Sequence, residues 1–351
     1  MDEVDTPGSA SRSRARLLAK LAAQTLGFLI GIAMLGYCVQ LALSGENRRA
    51  LQSLSEASPA ALLALVGLSA ISVMANGLIF WATLAPVRRL AAIDVVATNF
   101  LSTFLANLPF KIGLLVRIAI HTRRDRVPLA TVMAWMAAVS ATLVMASGAL
   151  LVAALVRDAT GPLTAPLAVV LMAAGCAAMV FVARRLSGEA GHRRLSRLIA
   201  RFGGRRAMRM ARGDVARQLH AGIDMLADGR WIAVVMLARV LDFAAQSLRM
   251  IVAGDLVDVA VRPTNGMIIA GGHYVVGAVS PFGMLGFREG GAVGIAVLLG
   301  YDKDGFAPVS LLASGSEIIA TITGAGLAIA WLRLDRILRG KTAGKRRAPA
   351  A

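Results

Sequence analysis

The chain has 351 residues, of which 57% are hydrophobic, and 38 lysines and arginines against 20 acids give it a formal net charge of +18. A soluble domain is only about 45–50% apolar. A soluble nucleic-acid-binding protein would not carry repeated apolar stretches of about 20 residues, the length that crosses a bilayer. The composition therefore excludes these two classes and favours a polytopic membrane protein with basic loops and no nucleic-acid partner.

Six apolar stretches predict α-helical membrane spans in chain order. They cover residues 21–43, 59–81, 129–156, 163–183, 231–253 and 307–331. The first is too long for a signal peptide and lacks a small-residue cleavage pattern, so we expect it to remain uncleaved. A basic tail over 1–20 precedes it and a second over 336–351 follows the last span. We therefore predict one transmembrane domain over 21–335.

Basic residues alternate between the loops and predict the orientation. Segments 1–20, 82–128, 184–230 and 332–351 hold 30 of the 38 lysines and arginines. Since basic loops stay in the cytoplasm, we expect both termini to be cytoplasmic and the protein to lie in the inner membrane of a bacterial cell. The loop over 184–230 carries twelve arginines. It is interpreted either as amphipathic helices on the anionic lipid surface of the cytoplasmic leaflet or only as a signal for orientation.

Two further apolar segments, 91–120 and 264–300, are interrupted and start and end on one side of the membrane. Broken backbone at membrane depth is tolerated where it is buried in protein or lines a wet cavity. We therefore predict two re-entrant helical hairpins, one entering from each face, with hinges at Pro109, Gly113, Pro281, Gly283 and Gly286. Together with their flanking spans they predict an inverted repeat, which is typical of transporters. The predicted fold class is all-α integral membrane.

Both interrupted segments contain a short motif. Asn107-Leu108-Pro109-Phe110-Lys111-Ile112-Gly113, followed by Arg117, and Pro281-Phe282-Gly283-Met284-Leu285-Gly286-Phe287-Arg288-Glu289-Gly290 resemble the two signatures of the flippase-like family. That family is also known as the lysylphosphatidylglycerol synthase transmembrane-region family. Leu114 stands where the family often has glutamate. The resemblance implies a membrane domain that moves lipids with large polar headgroups. In the aminoacyl-lipid synthases a soluble transferase follows this domain, and we expect none here.

The charged residues of the two motifs are the first candidates for substrate binding. Arg288 is expected to bind a lipid phosphate, with Glu289 as a proton-titrating or amine-binding partner; the alternative is a salt bridge that holds the hairpin. Arg117 and Lys111 are the predicted cytoplasmic counterparts, although Lys111 is also interpreted as reaching the membrane surface. Asn107 either caps a broken helix or contacts the headgroup.

The fifth span supplies a second set, since Arg239, Asp242, Gln246 and Arg249 follow spacings of three, four and three. These spacings place them on one helical face, either as a headgroup groove or as an intrahelical ion-pair ladder. Glu317 in the last span needs a partner, for which Arg288 is predicted. His273 is interpreted as a hydrogen-bonding residue between helices, with a proton switch as the alternative.

Other chemistry is not indicated. The chain has no phosphate-binding Gly-Lys-Ser/Thr loop and no Cys/His metal spacing, so we expect no ATP hydrolysis, metal or cofactor. We predict a lipid transporter rather than an enzyme. Two alternatives remain: a membrane-embedded lipid-modifying transferase with Glu289 or Asp242 as base, and a non-catalytic subunit that docks a lipid-biosynthesis partner through 184–230. A homo-oligomer is a further candidate assembly.

Overall fold

The computed structural model describes residues 7–43, 52, 56–108, 111–157, 163–211, 213–279 and 285–333. These residues form twelve α-helices and no β-strand. The helices are α1 Pro7–Ala42, α2 Pro59–Leu84, α3 Ala92–Ala106, α4 Ile112–Arg123, α5 Leu129–Arg157, α6 Thr164–Leu186, α7 Gly188–Ala211, α8 Asp214–Ala227, α9 Gly229–Asp255, α10 Pro263–Val279, α11 Phe287–Leu298 and α12 Lys303–Leu332. The helix α1 starts at Pro7, within the segment predicted as the basic tail.

Six of these helices are long and apolar enough to cross a membrane. The candidate spans are Thr25–Ala42, Pro59–Leu84, Leu129–Ala154, Pro166–Leu186, Gly229–Asp255 and Lys303–Leu332. At about 1.5 Å per residue, 18 residues or more reach about 27 Å, close to the thickness of the hydrocarbon core. The six spans predicted from the sequence are confirmed, and the protein is a multi-pass membrane protein.

Polar side chains fix where three of the spans begin. The Ser58 hydroxyl accepts a hydrogen bond from the Ala61 amide, and Pro59 occupies the first helical position of α2. Asp228 accepts from the Arg230 and Trp231 amides at the start of α9. These side chains satisfy amide groups that have no partner within the helix.

Asp302 does the same for the last span, because its carboxylate accepts a hydrogen bond of 2.8 Å from the Gly305 amide. The acidic triplet Asp302-Lys303-Asp304 therefore marks the first turn of α12. This is the ordinary role of an aspartate at a helix start.

Each interrupted segment forms two short helices. The pairs are α3 with α4 and α10 with α11, and their members have 12 to 17 residues. None reaches the roughly 20 residues that a full span needs. The helices of each pair pack against one another. The hairpins predicted from the breaks in the sequence are therefore present as helix–break–helix elements, while their depth in the membrane stays a prediction.

Glycines at the hairpins allow close contact. A Cβ atom at Gly113 would collide with the Ser102 carbonyl oxygen of α3, and one at Gly272 with the Ile295 side chain of α11. Gly286 has φ = 80°, a left-handed conformation that favours glycine. Its backbone also packs directly on Gly31 of α1. The other three predicted hinges, Pro109, Pro281 and Gly283, lie outside the described residues.

Contacts between helices connect the two predicted repeat units. The most extensive packing is between α2 and α9, the first span of each predicted unit. The first helix of each hairpin also contacts the last span of the other unit, α3 against α12 and α10 against α5. This exchange holds the two units together; their inverted orientation stays a prediction.

The basic loop folds into α7 and α8. The shorter helix, α8, packs against the spans α5 and α6, with Met225 and His220 buried. On α7, the arginines at 193, 194, 197 and 201 are exposed. The loop thus consists of two helices, of which α8 packs on the spans, and its contact with a lipid surface stays a prediction.

Candidate functional site

The candidate site is a cluster of buried charges where α2, α9, α11 and α12 meet. Its charged residues are at most 8% exposed: Arg239, Asp242, Arg249, Arg288, Glu289 and Glu317. A charge at the centre of a bilayer costs about 3 kcal/mol on insertion scales. Such groups persist when they are paired and hydrogen-bonded.

Glu317 is the centre of the cluster. Its Oε1 accepts from Arg288 Nη1 at 2.5 Å and its Oε2 accepts from Arg249 Nη1 at 2.7 Å. One carboxylate of α12 therefore holds two guanidinium groups, one from α9 and one from α11. The contact predicted between Arg288 and Glu317 is present. Arg249, which the sequence analysis placed on the polar face of the fifth span, is the second partner. We call Arg249, Arg288 and Glu317 the arginine–glutamate triad.

The polar face of α9 forms a hydrogen-bonded series. Arg239 Nη1 donates to Asp242 Oδ2 at 3.1 Å and Gln246 Nε2 donates to Asp242 Oδ1 at 3.2 Å. Arg249 Nη2 then donates to Gln246 Oε1 at 3.3 Å. These contacts are those of the intrahelical ladder, one of the two arrangements that the spacing allowed. The ladder leads directly into the triad through Arg249.

Serines of α2 and α12 complete the cluster, and the sequence analysis missed them. The Ser72 hydroxyl donates to Asp242 Oδ1 at 2.6 Å. Ser69 lies 2.9 Å from the Ser316 hydroxyl and accepts from Arg249 Nη1 at 3.3 Å. The spacing of three between Ser69 and Ser72 in an apolar span places both on one helical face. That spacing is the sequence signal that could have identified them. They tie α2 to the charges of α9 and α12.

Glu289 has a local role at the start of α11. Its Oε2 accepts a hydrogen bond of 2.6 Å from the Gly286 amide, as in a capping box. Its other oxygen, Oε1, lies 3.9 Å from Arg288 Nη2 and has no hydrogen-bond partner among the described residues. Since the cap fixes the first turn of α11, it also fixes the direction from which Arg288 reaches Glu317.

His273 of α10 is 1% exposed and close enough to Arg288, Arg249 and Glu317 for their charges to act on it. We expected a hydrogen bond between helices at this residue. Instead, neither ring nitrogen has a hydrogen-bond partner within the part of the chain that the structure describes. The same holds for Arg249 Nε. A buried polar group without a partner costs about 1–3 kcal/mol, so these three atoms need an explanation.

The candidates of the first hairpin are Arg117, Asn107 and Lys111, and the contacts of Arg117 form a second cluster. The Arg117 guanidinium lies 3.8 Å above the Phe80 ring and its Nη2 donates to Asn99 Oδ1 at 2.5 Å. Asn107 closes α3, with its Nδ2 donating to the Phe104 carbonyl at 3.2 Å. This is the capping role, one of the two that the sequence suggested. Lys111 precedes α4 in a left-handed conformation, φ = 52°.

The sequence analysis also missed the histidine next to this cluster. His121 is fully buried in the last turn of α4, and its Nδ1 lies 2.7 Å from Asp125 Oδ2. Burial lowers the pKa of His121, and the carboxylate of Asp125 opposes this shift. His121 also packs on Trp135 of α5, with ring centroids 4.7 Å apart. The pair fixes the loop that follows α4.

The chemistry of the main cluster is recognition of charge. Two guanidinium groups converge on one carboxylate, and the planar guanidinium fork matches the geometry of both carboxylate and phosphate oxygens. Among the described residues, no group of three or more His, Cys, Asp or Glu side chains is arranged to hold a metal ion.

The model of one protein family matches residues 18–324; that family is described as the lysylphosphatidylglycerol synthase TM region. The match covers all six candidate spans except the end of the last one. No curated protein and no solved structure matches the chain.

Proposed function

The chain belongs to the lysylphosphatidylglycerol synthase transmembrane-region family, and we propose that it moves a lipid with a polar, phosphate-containing headgroup between the leaflets of the inner membrane. ATP hydrolysis by this chain is not part of the proposal. Movement is driven instead by ion or proton coupling, or by consumption of the lipid on one side.

The arginine–glutamate triad is the observation that carries the proposal. Glu317 holds Arg249 and Arg288 at 2.7 and 2.5 Å, in the geometry that a phosphate would need. A lipid phosphate competes with this carboxylate for the same donors, so Glu317 acts as an internal stand-in anion when no headgroup is bound. Such charges are expensive in a membrane protein and mark substrate pathways by default.

The ladder on α9 gives the headgroup a polar route. Its members are joined from Arg239 to Arg249 along one face of a helix that spans the membrane. Each hydrogen bond of the ladder exchanges with a bond to the passing headgroup, since both are charge-assisted. The lipid tails stay in the bilayer beside the helices.

The orientation is part of the same proposal. Both termini are placed in the cytoplasm, because 30 of 38 basic residues fall in the predicted inside segments. The exposed arginines of α7 then face the anionic leaflet, where each basic residue adds about 1 kcal/mol of attraction.

A membrane-embedded transferase is the alternative in the enzyme class. It requires Glu289 or Asp242 as a base, and each of these carboxylates accepts hydrogen bonds here, Glu289 from the Gly286 amide and Asp242 from Ser72, Gln246 and Arg239. The geometry therefore favours transport. The alternative in the scaffold class is a non-catalytic subunit that docks a lipid-biosynthesis partner through α7 and α8. It predicts that the triad is dispensable.

Transport is tested with the purified protein in liposomes that contain fluorescent phospholipids in both leaflets. A reducing agent added outside bleaches the outer leaflet, so protein-dependent movement appears as additional bleaching. We expect Arg288→Gln and Glu317→Gln to slow this movement at least tenfold, because a hydrogen bond to a charged group is worth about 1.5–3 kcal/mol. Arg193→Gln, an exposed change on α7, is the matched control and keeps the wild-type rate.

The same vesicles separate the alternatives. Equal rates in the wild-type protein and the triad variants, with all of them folded, would contradict the proposal. A lipid product of new mass whose formation depends on Glu289 or Asp242 would contradict transport and support the transferase.

A further inference from the structure

A chain of polar contacts joins the last turn of α12 to the first hairpin. Trp331 Nε1 donates a hydrogen bond of 2.8 Å to Asp94 Oδ1 in the first turn of α3. The other oxygen of this carboxylate, Asp94 Oδ2, forms an ion pair of 2.9 Å with Arg124 Nη2 at the end of α4. The side chain of Asp94 therefore connects the ends of three helices, although Trp331 lies 237 residues further along the chain.

The connection between α4 and α5 holds Arg124 in place. Asp125 lies between Arg124 at 3.5 Å and His121 at 2.7 Å. Arg88, from the connection between α2 and α3, donates to the backbone carbonyls of Asp125 and Arg126 at 2.6 and 3.0 Å. Arg126 has φ = 54°, a left-handed conformation that is costly for a residue other than glycine. These contacts support a strained turn and fix the backbone from which the guanidinium group of Arg124 extends.

The contacts of Asp94 differ from those of the arginine–glutamate triad in their exposure. The side chains of Asp94 and Arg124 are 23% and 26% exposed and Trp331 is 58% exposed, whereas the residues of the triad are at most 8% exposed. An ion pair that water can reach contributes little free energy, because water replaces each partner when the pair opens. The contacts of Asp94 can therefore break and re-form, while loss of one partner from the triad would leave a buried charge uncompensated.

Small side chains form part of the apolar contact beside these polar groups. The helix α3 packs extensively on α12, and the apolar cluster that they share includes Ala97, Ala325 and Ala328. The ring of Phe100 packs directly on Gly324, where a Cβ atom would lie 2.6 Å from Phe100 Cγ. Small residues let two helices approach closely. The exposure of these positions to water therefore reports whether the two helices are together.

The last span links this contact to the candidate site. Glu317 lies about four helical turns before Trp331 on α12. Since α12 is continuous between them, its end and the carboxylate of the triad move together. The first hairpin belongs to the first predicted repeat unit and α12 to the second. The two units therefore cannot move apart at this end while the contacts of Asp94 are closed.

We propose that Asp94, Arg124 and Trp331 form a latch that holds the first hairpin against the last span, and that the latch opens in each transport cycle. The latch is closed in this structure. Its opening frees α12 to shift relative to α3, and this shift changes the contacts of Glu317 with its two arginines. This inference rests on the proposed function, since it adds a conformational step to the same transport.

Opening of the latch is measured by the labelling of a buried cysteine beside it. Ala328, which is 2% exposed on α12, is replaced by cysteine in the full-length protein after Cys38 is replaced by alanine, and a water-soluble maleimide is added in detergent. We expect Asp94→Ala to raise the labelling rate at position 328 about fivefold, the effect of losing one exposed ion pair and one hydrogen bond. Asp94→Asn, which keeps an acceptor for Trp331, should give a smaller increase.

Two controls separate opening of the latch from loss of the fold. Asp255→Asn changes an exposed aspartate outside the latch and should leave the rate at position 328 unchanged. The native Cys176, 8% exposed in a different apolar cluster, should be labelled equally slowly in every variant. If Asp94→Ala accelerates both cysteines alike, Asp94 only stabilises the fold and the inference is overturned. An unchanged rate at position 328 overturns it as well.

A disulfide across the same contact tests whether opening is part of transport. In Phe100→Cys/Gly324→Cys, made without Cys38 and Cys176, the two Cβ atoms lie within about 4 Å, the usual range for a disulfide. Lipid movement is followed by extraction of a short-chain fluorescent phospholipid with albumin, which leaves the disulfide intact. We expect oxidation to slow movement about tenfold or more, because a locked conformational step stops the cycle, and dithiothreitol to restore it. Phe100→Cys alone should not respond to the oxidant.

Failure of the inference differs from failure of the proposed function. If the oxidised and reduced proteins move lipid equally fast, the latch does not open during transport, and the proposed function stands. If the reduced protein moves no lipid although it forms the disulfide on oxidation, the proposed function is wrong, and the inference that rests on it fails with it.

Discussion

At the scale of single residues, the protein contains ion pairs whose carboxylates are fully hydrogen-bonded. It also contains buried polar groups that lack a hydrogen-bond partner among the described residues. Glu317 is engaged by two arginines and Asp242 by three donors, so each carboxylate is well satisfied. His273 and Arg249 Nε have no hydrogen-bond partner in the part of the chain that the structure describes. Fully satisfied networks make a core rigid and specific, whereas partly satisfied ones are costly. The carboxylates therefore hold their helices together, whereas these nitrogens add no hydrogen bond among the described residues.

A pH dependence of stability follows from His121, which lies in the last turn of α4, outside the six candidate spans. The groups that act on it are Asp125, Arg117 and Arg124, and its pKa is lowered, chiefly by burial. Below its ordinary value of about 6.5, the unfolded chain takes up a proton that the folded protein refuses. Acid therefore favours unfolding.

We expect the free energy of unfolding to fall as the pH drops from 7.5 to 5.5, by at most about 1.4 kcal/mol from this one group. Melting curves in detergent at the two pH values measure it. His121→Gln should show a smaller difference between them. An equal difference in the variant would assign the pH dependence to other groups.

At the scale of helices, glycines determine how closely the hairpins fold. Gly113 packs against the Ser102 carbonyl, Gly272 against Ile295 and Gly286 against Gly31. The first hairpin carries Arg117 and the second carries Arg288, so these contacts position the charged residues of both clusters. A larger residue at such a site separates two helices rather than filling a void.

Gly113→Ala is expected to destabilise the protein by about 1–3 kcal/mol, the usual cost of an overpacked contact, because its Cβ collides with the backbone of α3. Gly326→Ala is the matched control: a Cβ at this helical glycine of α12 meets nothing within 4 Å. Alanine there is neutral or stabilising by up to about 1 kcal/mol. Thermal unfolding of both variants measures the difference in stability. Equal melting temperatures would show that α3 and α4 can separate without loss of stability.

At the scale of the whole molecule, the two predicted repeat units meet at α2 and α9. The charge cluster lies at this junction, since α2 supplies Ser69 and Ser72, α9 supplies Arg249, and α11 and α12 supply Arg288 and Glu317. A relative movement of the two units would change the contacts of the cluster. This is where an alternating-access transporter needs its binding site.

The orientation of the bundle is a prediction at this scale. Cysteines are introduced at Glu189 on α7 and at Ala260 in the α9–α10 connection, both exposed positions, after the buried Cys38 and Cys176 are replaced by alanine. In right-side-out vesicles, a membrane-impermeant maleimide should label the cysteine at 260 and reach the one at 189 only after permeabilisation. The reverse pattern would place the termini outside.

Much of the fold was predictable from the sequence because its signals are local. A span is a continuous apolar stretch, so all six were found, and Gly and Pro residues marked the breaks between α3 and α4 and between α10 and α11. The polar face of α9 follows from the helical period alone. Arg288 and Glu317 were expected to pair because an isolated charge at membrane depth is too costly.

Only the tertiary structure decided which distant groups share a site. Ser69 and Ser316 are 247 residues apart in the chain, and Arg249 and Glu317 belong to different helices; their contacts depend on how α2, α9 and α12 pack, which no local pattern specifies. Arg117 was predicted as the cytoplasmic counterpart of Arg288, and only the packing of α3 and α4 on α2 shows that its guanidinium lies on Phe80 and donates to Asn99. His273 was expected to form a hydrogen bond between helices, and only the packing of α10 shows that its ring nitrogens have no partner among the described residues. The sequence determined which segments enter the membrane, because transfer of a helix depends on its own composition, whereas packing between helices determined which charges meet.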